Sequence, residues 1–287
     1  MPAAQIECNN LMYSDAVCVV SLAFILYRCL TVSIKGNFEQ ISKMFQWFLP
    51  IAVGSAAGFQ CFNSALDVLP IAAPPGKYSG KERHRWRNAA TSFFNSLFMS
   101  PIVLYCLINH PKVWTDPMGY YSTFADAGFA ILAGYMVYDT YDILAHTHFS
   151  KVYALLTHHL IIGSALFILS YKVLAMGVFM IGLLTEVHAI FLHSRQLLLM
   201  YGISKRSTLF SVHKYINLIT FVSLRLMTLV FPCYCSYVKI NPTFTVLYYI
   251  LPVMTTSIFL INLVLLWRVI CSDFLVKGGK ENHILDG

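Results

Sequence analysis

Charged side chains are scarce in this sequence. Only 11% of the 287 residues are Asp, Glu, Lys or Arg, whereas 57% are hydrophobic and the mean hydropathy is +0.64. Because soluble domains carry roughly 25% charged residues, this composition excludes a soluble globular protein. The apolar residues collect into runs of about 20, the length that an α-helix needs to cross a bilayer core. The sequence therefore predicts a polytopic membrane protein.

Several common signatures are also missing. There is no Asn-x-Ser/Thr sequon, no GxSxG or HExxH motif and no phosphate-binding Gly loop. Residues 1–15 contain no Lys or Arg, so we expect residues 16–34 to be a membrane helix and not a removed signal peptide. The eight cysteines show neither CxxC pairs nor zinc spacing, which predicts buried thiols without a disulfide frame and without a bound metal.

Two further regions precede a compact block of helices. The run at 47–70 contains Pro50, Gly54 and Gly58, so it either spans the membrane or lies in the interface. The stretch 74–88, "PPGKYSGKERHRWRN", is hydrophilic and predicts a linker. These features divide the chain into N-terminal membrane segments with a linker (1–82), a helical domain (83–276) and a tail (277–287).

Six spans are predicted in the helical domain. They lie at 88–108, 124–144, 153–171, 174–198, 212–233 and 244–270. Since lipid offers the backbone no hydrogen bonds, runs this long and continuous form helices. We therefore predict an all-α fold, a polytopic transmembrane bundle with a six-helix core and one or two additional N-terminal membrane helices.

Basic residues are distributed unevenly among the loops. Most fall in the linker, in the connection between the fourth and fifth core helices and in the tail, which predicts that these regions are cytosolic. The formal net charge of +7 therefore reflects topology, and we expect no nucleic-acid partner. Membrane phospholipids are the predicted partners, and the sequence identifies no protein partner.

Ionisable residues at membrane depth are the candidate functional residues, because each is costly unless it faces the bundle interior. Tyr135, Tyr138, Asp139, Asp142 and His146 recur at spacings of three and four and share one helix face. The other candidates are the pair His158 and His159, Glu186 and His193 seven apart, Arg225, and a less strongly polar stripe of Asn88, Ser92, Asn95 and Met99. Arg225 needs a carboxylate partner, and Asp139, Asp142 and Glu186 are candidates.

Two interpretations of these residues stay open. They form either a hydrogen-bonded structural core or a polar cavity in which a histidine acts as a general base on a lipid or acyl substrate. A proton-coupled transporter that depends on Glu186 is a weaker alternative.

Six ordered motifs over residues 83–276 resemble the TLC family, the TRAM, Lag and CLN8 homology domain. They are "RHRWRNAATSFFNSLFMS", "GYMVYDTYDIL", "LLTHHLIIGSA", "GLLTEVHAIFLHSRQLLL", "VHKYINLITFVSLRL" and "RVICSDF". The closest resemblance is to the subgroup of TLC domain-containing proteins one and two and their nematode fluidity-homeostasis relative. That resemblance implies a multi-pass plasma-membrane protein, with the endoplasmic reticulum as an alternative location.

The resemblance also implies a function. The subgroup regulates the fatty-acid composition of membrane phospholipids, limits long polyunsaturated chains and so sets fluidity, without established catalysis or a cofactor. Asn95, Tyr138, Glu186, His193 and Arg225 are then candidates for a lipid-binding or polar cavity.

An acyl-CoA-dependent acyltransferase acting on phospholipid or a sphingoid base is the alternative, since the wider family contains ceramide synthases. His158 and His159 match their paired-histidine motif, and Asp139 and Asp142 would assist as catalytic candidates. Their His-Asp-x-x-Asp positions fall on Thr185, Glu186 and Ala189, and Asn95 stands where the subgroup usually has histidine. Because these departures remove groups that could transfer a proton, they favour a protein that is not an enzyme.

Overall fold

The helical prediction can be compared with a computed structural model of the chain, which describes residues 44–68, 80–147, 149–239 and 245–275. Every regular element in these ranges is a helix, so the all-α prediction is confirmed. The predicted helix at 16–34 and the tail at 277–287 lie outside the described residues.

Ten α-helices follow one another in the described ranges. They are α1 Leu49–Val68, α2 Gly80–Asn109, α3 Lys112–Thr115, α4 Thr123–His146, α5 Phe149–Lys172, α6 Met176–Gly182, α7 Leu184–Met200, α8 Thr208–Phe221, α9 Met227–Tyr234 and α10 Thr245–Ile270. Short π-helical turns cover Met44–Phe48, Val222–Leu226, Cys235–Lys239 and Cys271–Leu275. All six predicted core spans correspond to helices, although two of them are interrupted, one between α6 and α7 and one between α8 and α9.

The N-terminal part of α2 corrects the linker prediction. Residues 80–88 were expected to be part of a hydrophilic linker, but they form the first turns of α2. Trp86 is buried, and Arg83 and Arg87 both bind the carboxylate of Asp67 at the end of α1. These tertiary contacts stabilise helix in a segment whose composition alone suggested a loop.

α1 packs along α4 through small residues. A side chain at Gly134 would come within 2.2 Å of the carbonyl oxygen of Ala52, so only glycine fits there. The Ser55 hydroxyl donates a hydrogen bond of 2.8 Å to the carbonyl of Ile131, and Phe59 packs edge-on against Tyr135. The part of the predicted 47–70 run that forms α1, Leu49–Val68, therefore packs against a core helix.

Five of the helical segments in the described ranges are long and apolar enough to cross a membrane. They are Gly80–Asn109, Leu155–Lys172, Met176–Met200, Thr208–Lys239 and Tyr248–Leu275. α4 was predicted as a further span and has the necessary length, but its aspartates and tyrosines make it more polar than these five segments. Most of those polar side chains are buried against neighbouring helices, whereas Val137 and Leu144 on another face of α4 are exposed.

The first turns of α2 carry Lys81, Arg83, Arg85 and Arg87, and we call this end of the bundle the basic end. There the start of α2 meets the ends of α1 and α7, where Trp86, Leu66 and Met200 pack together. The buried side chain of Arg195 in α7 donates to Asp273, 2.6 Å from Nε to Oδ2, and to the Ser272 hydroxyl at 3.0 Å. The last described turn of the chain is therefore fixed to α7.

Candidate functional site

Two aspartates of α4 lie in a buried group that we call the aspartate cluster: His84, Asn88, Asp139, Asp142 and His159. The Asn88 amide donates to Asp139 Oδ1 at 2.7 Å and to Asp142 Oδ2 at 3.1 Å. His84 Nε2 lies 2.8 Å from Asp142 Oδ2, and His159 Nε2 lies 3.4 Å from Asp139 Oδ2. Each carboxylate thus has partners from at least one other helix, as buried charge requires.

A second group surrounds a cavity that we call the chamber. Its polar lining consists of His158, Thr185, Glu186, Arg225, Ser236, Thr255 and Asn262. The remaining lining is largely aliphatic and comes mainly from α5, α6, α9 and α10. The cavity has a volume of about 100 Å³. A few polar groups placed among apolar walls are typical of a small-molecule binding site.

Glu186 and Arg225 are the charged residues of the chamber. Glu186 Oε2 accepts hydrogen bonds from the Asn95 amide at 3.3 Å and the Ser96 hydroxyl at 3.4 Å. Arg225 Nε donates to Asn262 Oδ1. Its Nη1 is buried and has no hydrogen-bond partner among the described residues. The guanidinium therefore keeps a donor that a bound molecule could use.

The backbone around Arg225 departs from α-helical geometry. The π-helical turn Val222–Leu226 interrupts the helix between α8 and α9. Each hydrogen bond in a π-helical turn spans one residue more than in an α-helix, so the side chains point in different directions. Such turns are frequent at functional sites. The turn contributes Arg225 to the chamber lining, although its flanking helices are mostly apolar.

The aspartate cluster and the chamber are adjacent along two helices. On α2, Asn88 binds the aspartates, Ser92 accepts from Tyr135 at 3.0 Å, and Ser96 binds Glu186. On α5, His159 faces Asp139, and His158 lines the chamber with its ring centroid 5.9 Å from that of His159. The polar residues thus form two neighbouring groups along a shared seam.

The other predicted residues have different surroundings. Tyr138 is buried on α4 and stacks on Phe59 of α1, with centroids 6.2 Å apart. His193 Nδ1 is buried without a hydrogen-bond partner among the described residues. His146 is about half exposed at the end of α4. Asn95 contacts the chamber indirectly, through Glu186.

Three residues at the two groups were missed in the sequence. His84 was assigned to the hydrophilic linker, so its approach to Asp142 was not foreseen. Asn262 stands alone in the apolar stretch "SIFLINLVLLW", and an amide at that depth is itself a signal for an interhelical hydrogen bond. Arg225 was expected to pair with a carboxylate; it lines the chamber together with Glu186, and its described hydrogen bond is to this amide. Ser96 follows Asn95 and extends the polar stripe on α2 to Glu186.

The fold and the buried polar groups define a polytopic helical membrane protein with a partly polar internal cavity. The chain belongs to the TLC domain family, because the model of that domain matches residues 85–271.

Its relatives include TLC domain-containing protein 2 of Danio rerio, which is 30% identical over 82% of this chain and 93% of that protein. TLC domain-containing protein 1 of Gallus gallus is 28% identical over 84% of this chain and 96% of its own length. The human TLC domain-containing protein 1 is 27% identical over 62% of this chain and 71% of its own length. No solved structure matches the chain.

Proposed function

We propose that this protein regulates the fatty-acid composition of plasma-membrane phospholipids, limits long polyunsaturated chains and thereby sets fluidity. In this proposal the chamber holds part of a lipid molecule. The observation that carries it is the chamber itself, a cavity with mostly apolar walls that also presents Arg225 and Glu186. Membership of the TLC family supports the same function.

The chemistry of the chamber favours a lipid over a polar solute. Its apolar walls would contact an acyl chain, and the free Nη1 of Arg225 would donate to an oxygen of the ester or head group. At about 100 Å³ the cavity is somewhat smaller than an engineered cavity that binds benzene, about 150 Å³. It would therefore enclose a segment of one chain, while the rest of the lipid lies outside it.

Acyl transfer is the second candidate, and the position of His158 supports it. That ring lines the chamber beside Glu186 and Arg225, where a general base would have to lie. The aspartate, however, lies beside His159 at 3.4 Å, so the histidine in the chamber and the histidine oriented by a carboxylate are different residues. The binding function therefore takes precedence, and the two functions are separable by single substitutions.

The test combines lipidomics with bound-lipid analysis. Null cells are rescued with the wild type, His158→Ala, Arg225→Gln or the control His213→Gln, whose ring contacts Ser194 away from the chamber lining. Each protein is measured for surface expression, for phospholipid acyl composition of the cells and for lipid that copurifies with it. We expect Arg225→Gln to lose both copurified lipid and rescue, whereas His158→Ala and the control retain both.

The outcome for His158→Ala distinguishes the two functions. If His158→Ala retains lipid but fails to rescue at normal expression, the protein would be an acyltransferase and not a lipid-binding regulator. Full rescue by Arg225→Gln, with unchanged copurified lipid, would remove the chamber from the function altogether.

A further inference from the structure

Three side chains with metal-ligand atoms meet at the basic end, outside the chamber. His84 comes from the first turns of α2, and Asp142 and His146 come from the last turns of α4. One ligand atom from each residue lies within 4.8 Å of the other two. In the part of the chain that the structure describes, these three are the His, Cys, Asp or Glu side chains whose ligand atoms converge in this way.

Both imidazoles approach the same carboxylate. His84 Nε2 lies 2.8 Å from Asp142 Oδ2, and His146 Nδ1 lies 3.6 Å from Asp142 Oδ1. The two rings are stacked, with centroids 3.9 Å apart and planes 24° from parallel. The Asn88 amide also donates to Asp142 Oδ2, at 3.1 Å. A carboxylate oriented in this way by a second residue is usual at metal sites.

A divalent cation could bind the two imidazoles and the carboxylate together, because ligand atoms of all three side chains converge. His146 Nδ1 also lies 2.9 Å from the backbone carbonyl oxygen of Asp142, a hydrogen bond of the kind that orients metal-binding histidines. Two imidazole nitrogens and one carboxylate oxygen form a ligand set that zinc accepts, with its fourth position left for water.

We propose that His84, Asp142 and His146 bind one Zn²⁺ ion, which links α2 to α4 at the basic end. Two of these side chains differ in exposure: that of His146 is 45% exposed, whereas that of Asp142 is 5% exposed. His146 therefore provides the path by which the ion enters, and its ring has room to rotate toward the metal. The site is independent of the proposed lipid function.

The test measures zinc bound to the purified full-length chain, without an affinity tag and in detergent. Protein stripped with a chelator is dialysed against Zn²⁺, and metal content and thermal unfolding are then measured. We expect one Zn²⁺ per wild-type chain and a higher Tm with zinc than without it. Mg²⁺ should give no such shift, because that ion prefers an all-oxygen octahedral shell.

Variants decide whether the bound ion occupies this site. His146→Ala should lose the zinc and its Tm shift while the metal-free Tm stays close to that of the wild type, because His146 is exposed. His84→Gln should lose both as well, and His213→Gln should retain both. A wild-type chain that binds no stoichiometric zinc would overturn the proposal. So would a His146→Ala variant that binds as much zinc as the wild type.

Discussion

At the scale of single residues, Asp67 shows how a surface carboxylate shapes this fold. Its Oδ1 accepts from Arg83 Nε at 2.6 Å, and Oδ2 contacts Arg87. The hydrogen bond from Arg83 is the main cause that lowers the pKa of Asp67 below its ordinary value of 3.8. Because the side chain is 43% exposed, water screens the pair and limits its contribution to less than about 1 kcal/mol.

This pair predicts a pH-dependent coupling. Since the pKa of Asp67 is lower in the folded protein, the stabilisation is complete above pH 3.8 and is lost as the pH falls through the folded-state pKa. A double-mutant cycle of Asp67→Asn and Arg83→Gln, measured by thermal unfolding in detergent, should therefore give a coupling energy at pH 7 that shrinks at strongly acidic pH. A coupling that is equally large when the carboxylate is protonated would contradict this assignment.

Residue type and depth predicted part of the candidate site. The cost of burying charge indicated that Asp139, Asp142, Glu186 and Arg225 face the interior, and the structure places them there among polar partners. Helical spacing could not show which residue on a different helix each one would meet. The contacts of Arg225 with Asn262 and of His84 with Asp142 depend on helix packing, which leaves no local pattern in the sequence.

At the scale of helices, Gly134 allows the backbones of α1 and α4 to approach each other closely. A Cβ there would lie 2.2 Å from the Ala52 oxygen and 2.7 Å from the Ser55 Cβ. The nearest of these atoms is α1 backbone, so α1 would have to move away from α4. The hydrophobic effect is weak between helices in lipid. Close packing at Gly134 stabilises the pair of helices instead, through van der Waals contact.

Gly134→Ala should therefore destabilise the protein by about 1–3 kcal/mol, the usual cost of overpacking. The matched control is Gly163→Ala in α5, where an added Cβ meets nothing within 4 Å. That change should be neutral or stabilise by roughly 0.5–1 kcal/mol, because alanine favours helix. Thermal unfolding of both variants in detergent measures the difference, and equal stability of the two would show that α1 does not pack as described.

Helix positions were easier to predict than their interruptions. Long apolar runs marked the core helices because the hydrocarbon core requires them. The start of α2 was missed since its residues are hydrophilic, and its helical structure depends on Asp67, Leu66 and Met200 from distant segments. The π-helical turn at Val222–Leu226 likewise has no local signal, because its residues are ordinary helix residues of an apolar span.

At the scale of the whole molecule, the pair of Arg195 and Asp273 joins segments 78 residues apart. The Arg195 side chain is 3% exposed and that of Asp273 is 0% exposed. Removing one partner of such a pair leaves an uncompensated buried charge, at a cost of about 3–5 kcal/mol.

Arg195→Met and Asp273→Leu should each destabilise the protein by about 3–5 kcal/mol, whereas the double variant should lose less than either single variant because no buried charge is left over. Thermal unfolding in detergent and the yield of monodisperse protein measure the effect. Additive losses in the double variant would mean that the two groups do not compensate each other.

This pair also bears on how the protein is made. Ribosomes synthesise a chain from its amino end, so Arg195 is already in place while residues 196–273 are still being added. Its guanidinium must stay in contact with water or lipid phosphates until Asp273 leaves the ribosome. Synthesis of the segment that contains Asp273, and not insertion of α7, is therefore the event that seals this end of the bundle.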